Sequence, residues 1–169
     1  MDKKELPEKK VDSVIGLYSN GKVSEALDAI ELLIKEHPNE SLLFNIRGAC
    51  YAALGQLEEA VKNYEDALAI KPDYSDASYN LGNVLKDLGH LEKAVESYKK
   101  TIAIEPHYYA AQHNLGVTLQ DLGLLNDAAE QYEQTLNIKP DNIEARINLG
   151  YVYQLLGQLE EAVTQYDSI

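Results

Sequence analysis

Between Asp76 and Leu88 the small and apolar residues Ala77, Leu81, Gly82, Val84, Leu85 and Leu88 fall three or four apart, which draws one buried face of an α-helix. The complementary face carries Asp76, Tyr79, Asn80, Asn83, Lys86 and Asp87. A second helical pattern runs from Leu91 to Ile104, with Ala94 at a close helix contact, Tyr98 as a large packing residue and Ile102 turned toward the next helix. Pro106 cannot continue that helix. Gly89, between the two patterns, suits the left-handed residue that closes a helix C-terminus. The segment therefore predicts two helices joined by a tight turn.

The same pattern returns along the chain. Gly21, Gly55, Gly89, Gly123 and Gly157 stand 34 residues apart, and Ala26, Ala60, Ala94, Ala128 and Ala162 follow each by five. Pro38, Pro72, Pro106 and Pro140 keep that step, as do Gly48, Gly82, Gly116 and Gly150, and Tyr64, Tyr98, Tyr132 and Tyr166. A helix-turn-helix unit of this length resembles the tetratricopeptide repeat, and Tyr79 to Leu85 with Leu88, Gly89, Ala94, Tyr98 and Pro106 gives its pattern almost complete. The resemblance implies an all-α, right-handed superhelical solenoid of antiparallel helix pairs, each burying its apolar face against its neighbours. We expect a charged lead-in at 1–6 and an array at 7–169, with repeats 7–40, 41–74, 75–108, 109–142 and an incomplete 143–169. First helices should start near Pro7, Ser41, Ser75, Tyr109 and Ile143, and second helices near Lys22, Leu57, Leu91, Leu125 and Leu159.

Departures from the pattern carry their own expectations. A Gly inside a helix costs about 1 kcal/mol relative to Ala, so the series from Gly48 to Gly150 implies close approach of the second helix. In the first repeat Val14 replaces this Gly and Ile30 replaces the Tyr. The aromatic residue four before the Gly is present only as Phe44, with Ser78, Gln112 and Arg146 elsewhere, which predicts lighter packing there. Asn39, Asp73 and Asp141 follow their prolines as N-caps for the next first helix, and Asp141 with Glu144 has the spacing of a capping box.

Composition narrows the chemistry. The chain has 169 residues, 28 acidic against 15 basic, and a net charge of −13 without a cationic stripe, which excludes a phosphate-tracking nucleic-acid surface. Lone Cys50 excludes an internal disulfide and a Cys-based zinc site. The start, with Lys3, Lys4, Lys9 and Lys10 among Asp2, Glu5 and Glu8, leads into no apolar run, no segment has the length of a membrane span, and a cytoplasmic location is expected. The Asn39-Glu40-Ser41 sequon is then a chance match. Every Gly but Gly16 belongs to a repeat series, so no phosphate loop is present, and no Ser/His/Asp or Cys/His grouping forms. The chain reads as a non-enzyme without cofactor or metal. Acidic pairs such as Glu58–Glu59 and Glu160–Glu161 belong to the first turns of second helices.

Function is expected on the face that packing leaves unused. Stacked units of this kind bind partners along a concave surface lined by first helices. That face collects Asn80, Asn114 and Asn148, one period apart, with Asn83, Lys86, Asp87, His113, Gln120, Asp121 and Tyr151. An Asn amide offers an acceptor and two donors, which suits capture of a peptide backbone. The series resembles the one lining the repeats of O-GlcNAc transferase, and the resemblance implies binding of extended polypeptide. A clamp for acidic C-termini is not expected. Asn83 and Asn114 fit its two Asn positions, but Tyr79, Glu144 and Asn148 stand where its basic residues belong. His113 reads as one polar groove residue among others, and His37, His90 and His107 as structural. Of the 12 tyrosines, the periodic four read as core, and Tyr18, Tyr79 and Tyr151 as amphipathic groove contacts.

After the last repeat Gly the chain reaches Ile169 with no polar capping helix, and the face bearing Leu159, Val163 and Tyr166 is expected to be open. This suggests a fragment, or an end covered by another molecule, including a second copy. Three functional classes fit: an interaction module for an extended peptide or protein partner, the substrate-recruiting N-terminal region of a larger enzyme such as a glycosyltransferase, and a self-assembling scaffold.

Overall fold

The computed structural model describes residues 6–169, so the charged lead-in with Lys3 and Lys4 lies almost wholly outside the described residues. Those residues form ten α-helices and no strand. The first helices of the repeats are α1 (Glu8–Ser19), α3 (Ser41–Ala53), α5 (Ser75–Asp87), α7 (Tyr109–Asp121) and α9 (Ile143–Leu155). The second helices are α2 (Val23–Glu36), α4 (Leu57–Ile70), α6 (Leu91–Ile104), α8 (Leu125–Ile138) and α10 (Leu159–Asp167). Every start lies within a residue of its expected place. The chain divides into two compact units, with the boundary between Val84 and Leu85.

The turn within each repeat follows from one backbone device. Gly55 has φ +74°, its N–H donates to the Ala52 carbonyl at 3.0 Å, and the Gln56 N–H donates to the Tyr51 carbonyl at 2.9 Å. This pair of bonds is a Schellman closure, satisfying carbonyls that the helix end would strand. Second helices end by another cause. His37, Lys71, Glu105 and Lys139 each precede a Pro, which drives the preceding residue out of the helical region, and their φ values are −135°, −130°, −128° and −130°.

Sequence and packing meet where the helices of a pair touch. A Cβ built on Gly48 would lie 2.7 Å from the Tyr64 ring, one on Gly116 2.8 Å from Tyr132, and one on Gly150 2.7 Å from Tyr166. The Gly is thus a socket for the tyrosine of its own second helix. In the first repeat the volumes are exchanged: Val14 and Ile30 are both buried, in one core with Val11, Ala26, Leu33, Leu43, Ile46 and Cys50. The alanines from Ala26 to Ala162 are all buried at the helix contact. Buried Thr101 and Thr135 donate to the carbonyls of Ser97 (3.0 Å) and Gln131 (2.8 Å) four residues earlier, so neither hydroxyl is stranded.

The expected N-caps are corrected. The side chain that caps α9 is Asn142, accepting from the Ala145 N–H at 3.0 Å, and Glu40 rather than Asn39 precedes α3 without a side-chain cap bond. Asp73 stands two residues before the first residue of α5. The proline turn is one residue longer than the capping reading allows, so Asp141 and Glu144 cannot form a box. At the aromatic position the lighter side chains are nonetheless buried: Ser78 is fully enclosed, and Gln112 turns inward.

Candidate functional site

In the first unit the polar face of α3 and α5 is already cross-linked. Asn80 Nδ2 donates to Asn45 Oδ1 at 3.1 Å, and Asn45 Nδ2 donates to the Tyr74 hydroxyl at 3.4 Å. Lys71 Nζ lies 5.1 Å from the centre of the Tyr74 ring. Burial, with Asp76 nearby, raises the Tyr74 phenol above its ordinary pKa, so it stays neutral and keeps its proton. Beside this, Arg47 stacks over Phe44 and donates to Asn63 Oδ1, while Asn63 Nδ2 donates to the Glu59 carbonyl at 2.7 Å. Asn80 and Asn83 are half-buried, and Asn80 enters this face oriented by Asn45.

The second unit builds its polar face around Tyr132. The ring fills the Gly116 socket, yet the hydroxyl donates to Gln120 Oε1 at 3.1 Å and is hydrogen-bonded by Asn148. Burial first, and then the carboxylates of Asp121 and Glu144, hold this phenol well above its ordinary pKa. Gln120 and Asn148, both expected groove residues, are therefore brought together by a tyrosine that the sequence pattern assigns to the core. The available signal was chemical: a Phe would fill the same socket, and a buried Tyr needs a partner for its O–H. Asn114 is half-buried in this unit, and its carbonyl accepts from Thr118 Oγ1 at 2.7 Å.

His113 differs from its sequence reading. Rather than one polar groove residue among others, it is only 8% exposed, its ring 5.6 Å from that of Tyr132. Nε2 lies 3.5 Å from Glu144 Oε1, and Nδ1 is buried without a hydrogen-bond partner. Burial lowers the imidazole pKa, Glu144 opposes that shift and Lys86 adds to it. Lys86 is half-buried, while Asp121 and Tyr151 are exposed at the edge of the same face.

On α10, Leu159 and Val163 are 62% and 55% exposed, whereas Tyr166, at 39%, lays its ring over Gly150 and belongs partly to its own repeat. Among the described residues no three His, Cys, Asp or Glu side chains are grouped to hold a metal ion, and no helix is long and apolar enough to cross a membrane. Gln120, Asn148 and Asn80 thus present amides whose orientation is set by hydrogen bonds within the chain. Such groups can hydrogen-bond an extended chain without reading its side chains.

Comparison with known proteins agrees with this architecture. A family model described as TPR repeat matches residues 48–89, 82–123 and 119–157. A stretch of 80 residues is 34% identical to the peroxisomal targeting signal receptor of Kluyveromyces lactis, and it makes up 45% of this chain and 14% of that receptor. The match therefore spans a small part of the relative's length. A crystal structure of MamA superposes with a TM-score of 0.86 at 25% identity, covering 90% of each chain. The crystal structure of YrrB, described as a TPR protein with an unusual peptide-binding site, gives 0.81 at 21% identity over 99% of this chain and 86% of that one. The fold is that of all-α TPR solenoids.

Proposed function

The chain belongs to the TPR repeat family, and from that premise we propose that it is a protein–protein interaction module that binds an extended peptide along the polar faces of its first helices. The observation that carries this reading is the Gln120–Tyr132–Asn148 cluster, in which a buried hydroxyl sets the direction of two amides on one face. Asn80, held by Asn45, gives the first unit an amide of the same kind. The peptide-binding site described for YrrB, and the targeting signal named for the receptor relatives, support the same class of partner. We assign the chain no catalytic step of its own, no nucleic-acid or membrane partner, and a cytoplasmic setting.

Each amide-to-backbone bond contributes about 1 kcal/mol net, so three Asn side chains supply about 3 kcal/mol if independent. The test is a peptide selected from a displayed random library, followed by replacement of Asn80, Asn114 and Asn148 with Ala. Affinity should fall by about 150-fold if the three act independently and by about 10-fold at least, with helicity unchanged. Unaltered affinity in the triple variant would reduce the Asn series to a duplicated surface.

A further inference from the structure

A cavity of about 600 Å³ opens in the second unit between the end of α6, the start of α7 and the last turn of α8. That volume lies within the range of about 300–1,000 Å³ usual for ligand pockets. Ile102, Pro106 and Ile138 give it apolar walls, exposed His107 and the exposed amides of Gln134 and Asn137 stand beside them, and buried Gln112 completes the lining. Gln112 occupies the repeat position that Phe44 holds two periods earlier. There the half-buried Phe44 ring is part of the chain itself, with the Arg47 guanidinium 5.1 Å from its centre. The fold thus accepts an aromatic ring at this position when the chain supplies one.

In the fourth repeat the chain supplies an amide instead. Gln112 Nε2 donates to the Pro106 carbonyl at 3.2 Å. A carbonyl can only accept, so the nitrogen must face it, and Oε1 is left buried with no donor. Arg146 makes the equivalent bond to the Pro140 carbonyl at 2.7 Å in the fifth repeat, but a guanidinium has no acceptor to strand. The Gln112 cavity therefore combines apolar walls with one unmet acceptor.

We propose that this cavity is a docking site for a tyrosine side chain of a partner protein. The ring lies against Ile102, Pro106 and Ile138, and the phenol O–H donates to Gln112 Oε1. Apolar walls disfavour an ammonium or guanidinium, and the unmet acceptor favours tyrosine over phenylalanine. The site shares no residue with the amide face and stands independently of it.

The test follows backbone amide shifts by NMR while N-acetyl-tyrosinamide is titrated into the intact chain, with N-acetyl-phenylalaninamide and p-cresol as comparisons. Saturable shifts are expected at Ile102, Gln112 and Ile138, with the phenylalanine analogue weaker by about tenfold, the loss of one hydrogen bond. Gln112→Phe should fill the cavity and abolish these shifts while keeping helicity. Gln112→Leu, which removes the acceptor, should make the two amides bind alike. Absent saturation, equal affinity of the two amides for the unaltered chain, or shifts that survive Gln112→Phe would each overturn the proposal. So would binding of p-cresol but not of the tyrosine amide, since that describes a phenol pocket and not a docking site.

Discussion

Gly116 is the sharpest place to perturb this fold. In Gly116→Ala the new Cβ would sit 2.8, 3.0 and 3.2 Å from Cε1, Cδ1 and Cζ of Tyr132. Carbon atoms prefer about 3.5–4.0 Å, and Tyr132 is fully buried with its hydroxyl tethered to Gln120, so the ring has little freedom to retreat. Overpacking of this kind costs about 1–3 kcal/mol, and the helix propensity of Ala over Gly returns about 1 kcal/mol. We expect a net loss of up to about 2 kcal/mol, read as a urea midpoint below that of the control by circular dichroism. Gly16→Ala is the control. Gly16 is also inside a helix, but a Cβ there meets nothing within 4 Å, so only the propensity gain remains and stability should rise by about 0.5–1 kcal/mol. The exchange seen in the first repeat supplies a further check, because Val14 with Ile30 replaces Gly with Tyr. Gly116→Val with Tyr132→Ile should be more stable than Gly116→Val alone. A Gly116→Ala variant as stable as Gly16→Ala, or strict additivity in the Val/Ile pair, would refute the socket.

Three further outcomes are expected. Tyr132→Phe should keep the socket filled, lose about 1 kcal/mol of stability from the missing hydrogen bond, and weaken peptide binding by freeing Gln120 and Asn148; full affinity in this variant would detach the cluster from recognition. The lowered pKa of His113 means that the unfolded chain binds a proton more readily. Its contribution to stability is complete above the unfolded value of about 6.5, and falls as pH drops from there through the folded value. His113→Gln should flatten that acid slope in urea titrations at several pH values, and an unchanged slope would show that the imidazole is not responsible. Finally, Leu159 and Val163 are exposed, and burying each large apolar side chain contributes about 1.5–3 kcal/mol, so we propose that α10 associates with a second copy. Sedimentation should show concentration-dependent mass that Leu159→Glu with Val163→Glu removes; a monomer across the micromolar range would contradict it.

The helices, their turns and the close helix approach at Gly116 were legible in the sequence because duplication writes each local constraint several times. A lone Gly in a helix is ambiguous, but a Gly series one period apart calls for a close second helix, and the structure shows that a Tyr ring is what meets Gly48, Gly116 and Gly150. What could not be read lies in contacts with other helices. His113 is buried by Tyr132 from α8 and approached by Glu144 from α9, neither of which its own helix pattern announces. The Tyr132 hydroxyl was hidden by the correct assignment of its ring to the core. The caps were misplaced by a single residue, because the turn after each Pro fixes the helix start independently of where an Asp or Asn stands. At Gln112 the missing aromatic was visible, but the stranded Oε1 depends on the backbone path of Pro106.

The most direct test of the central claim is to observe the amides themselves while a selected peptide binds. Side-chain NH₂ resonances of Asn80, Asn114, Asn148 and Gln120 can be followed by ¹⁵N NMR in one titration. Recognition through the polar faces predicts saturable shifts of these resonances with a single dissociation constant, equal to that measured by an independent binding assay. Saturable binding that leaves all four unmoved and shifts other residues instead would contradict it.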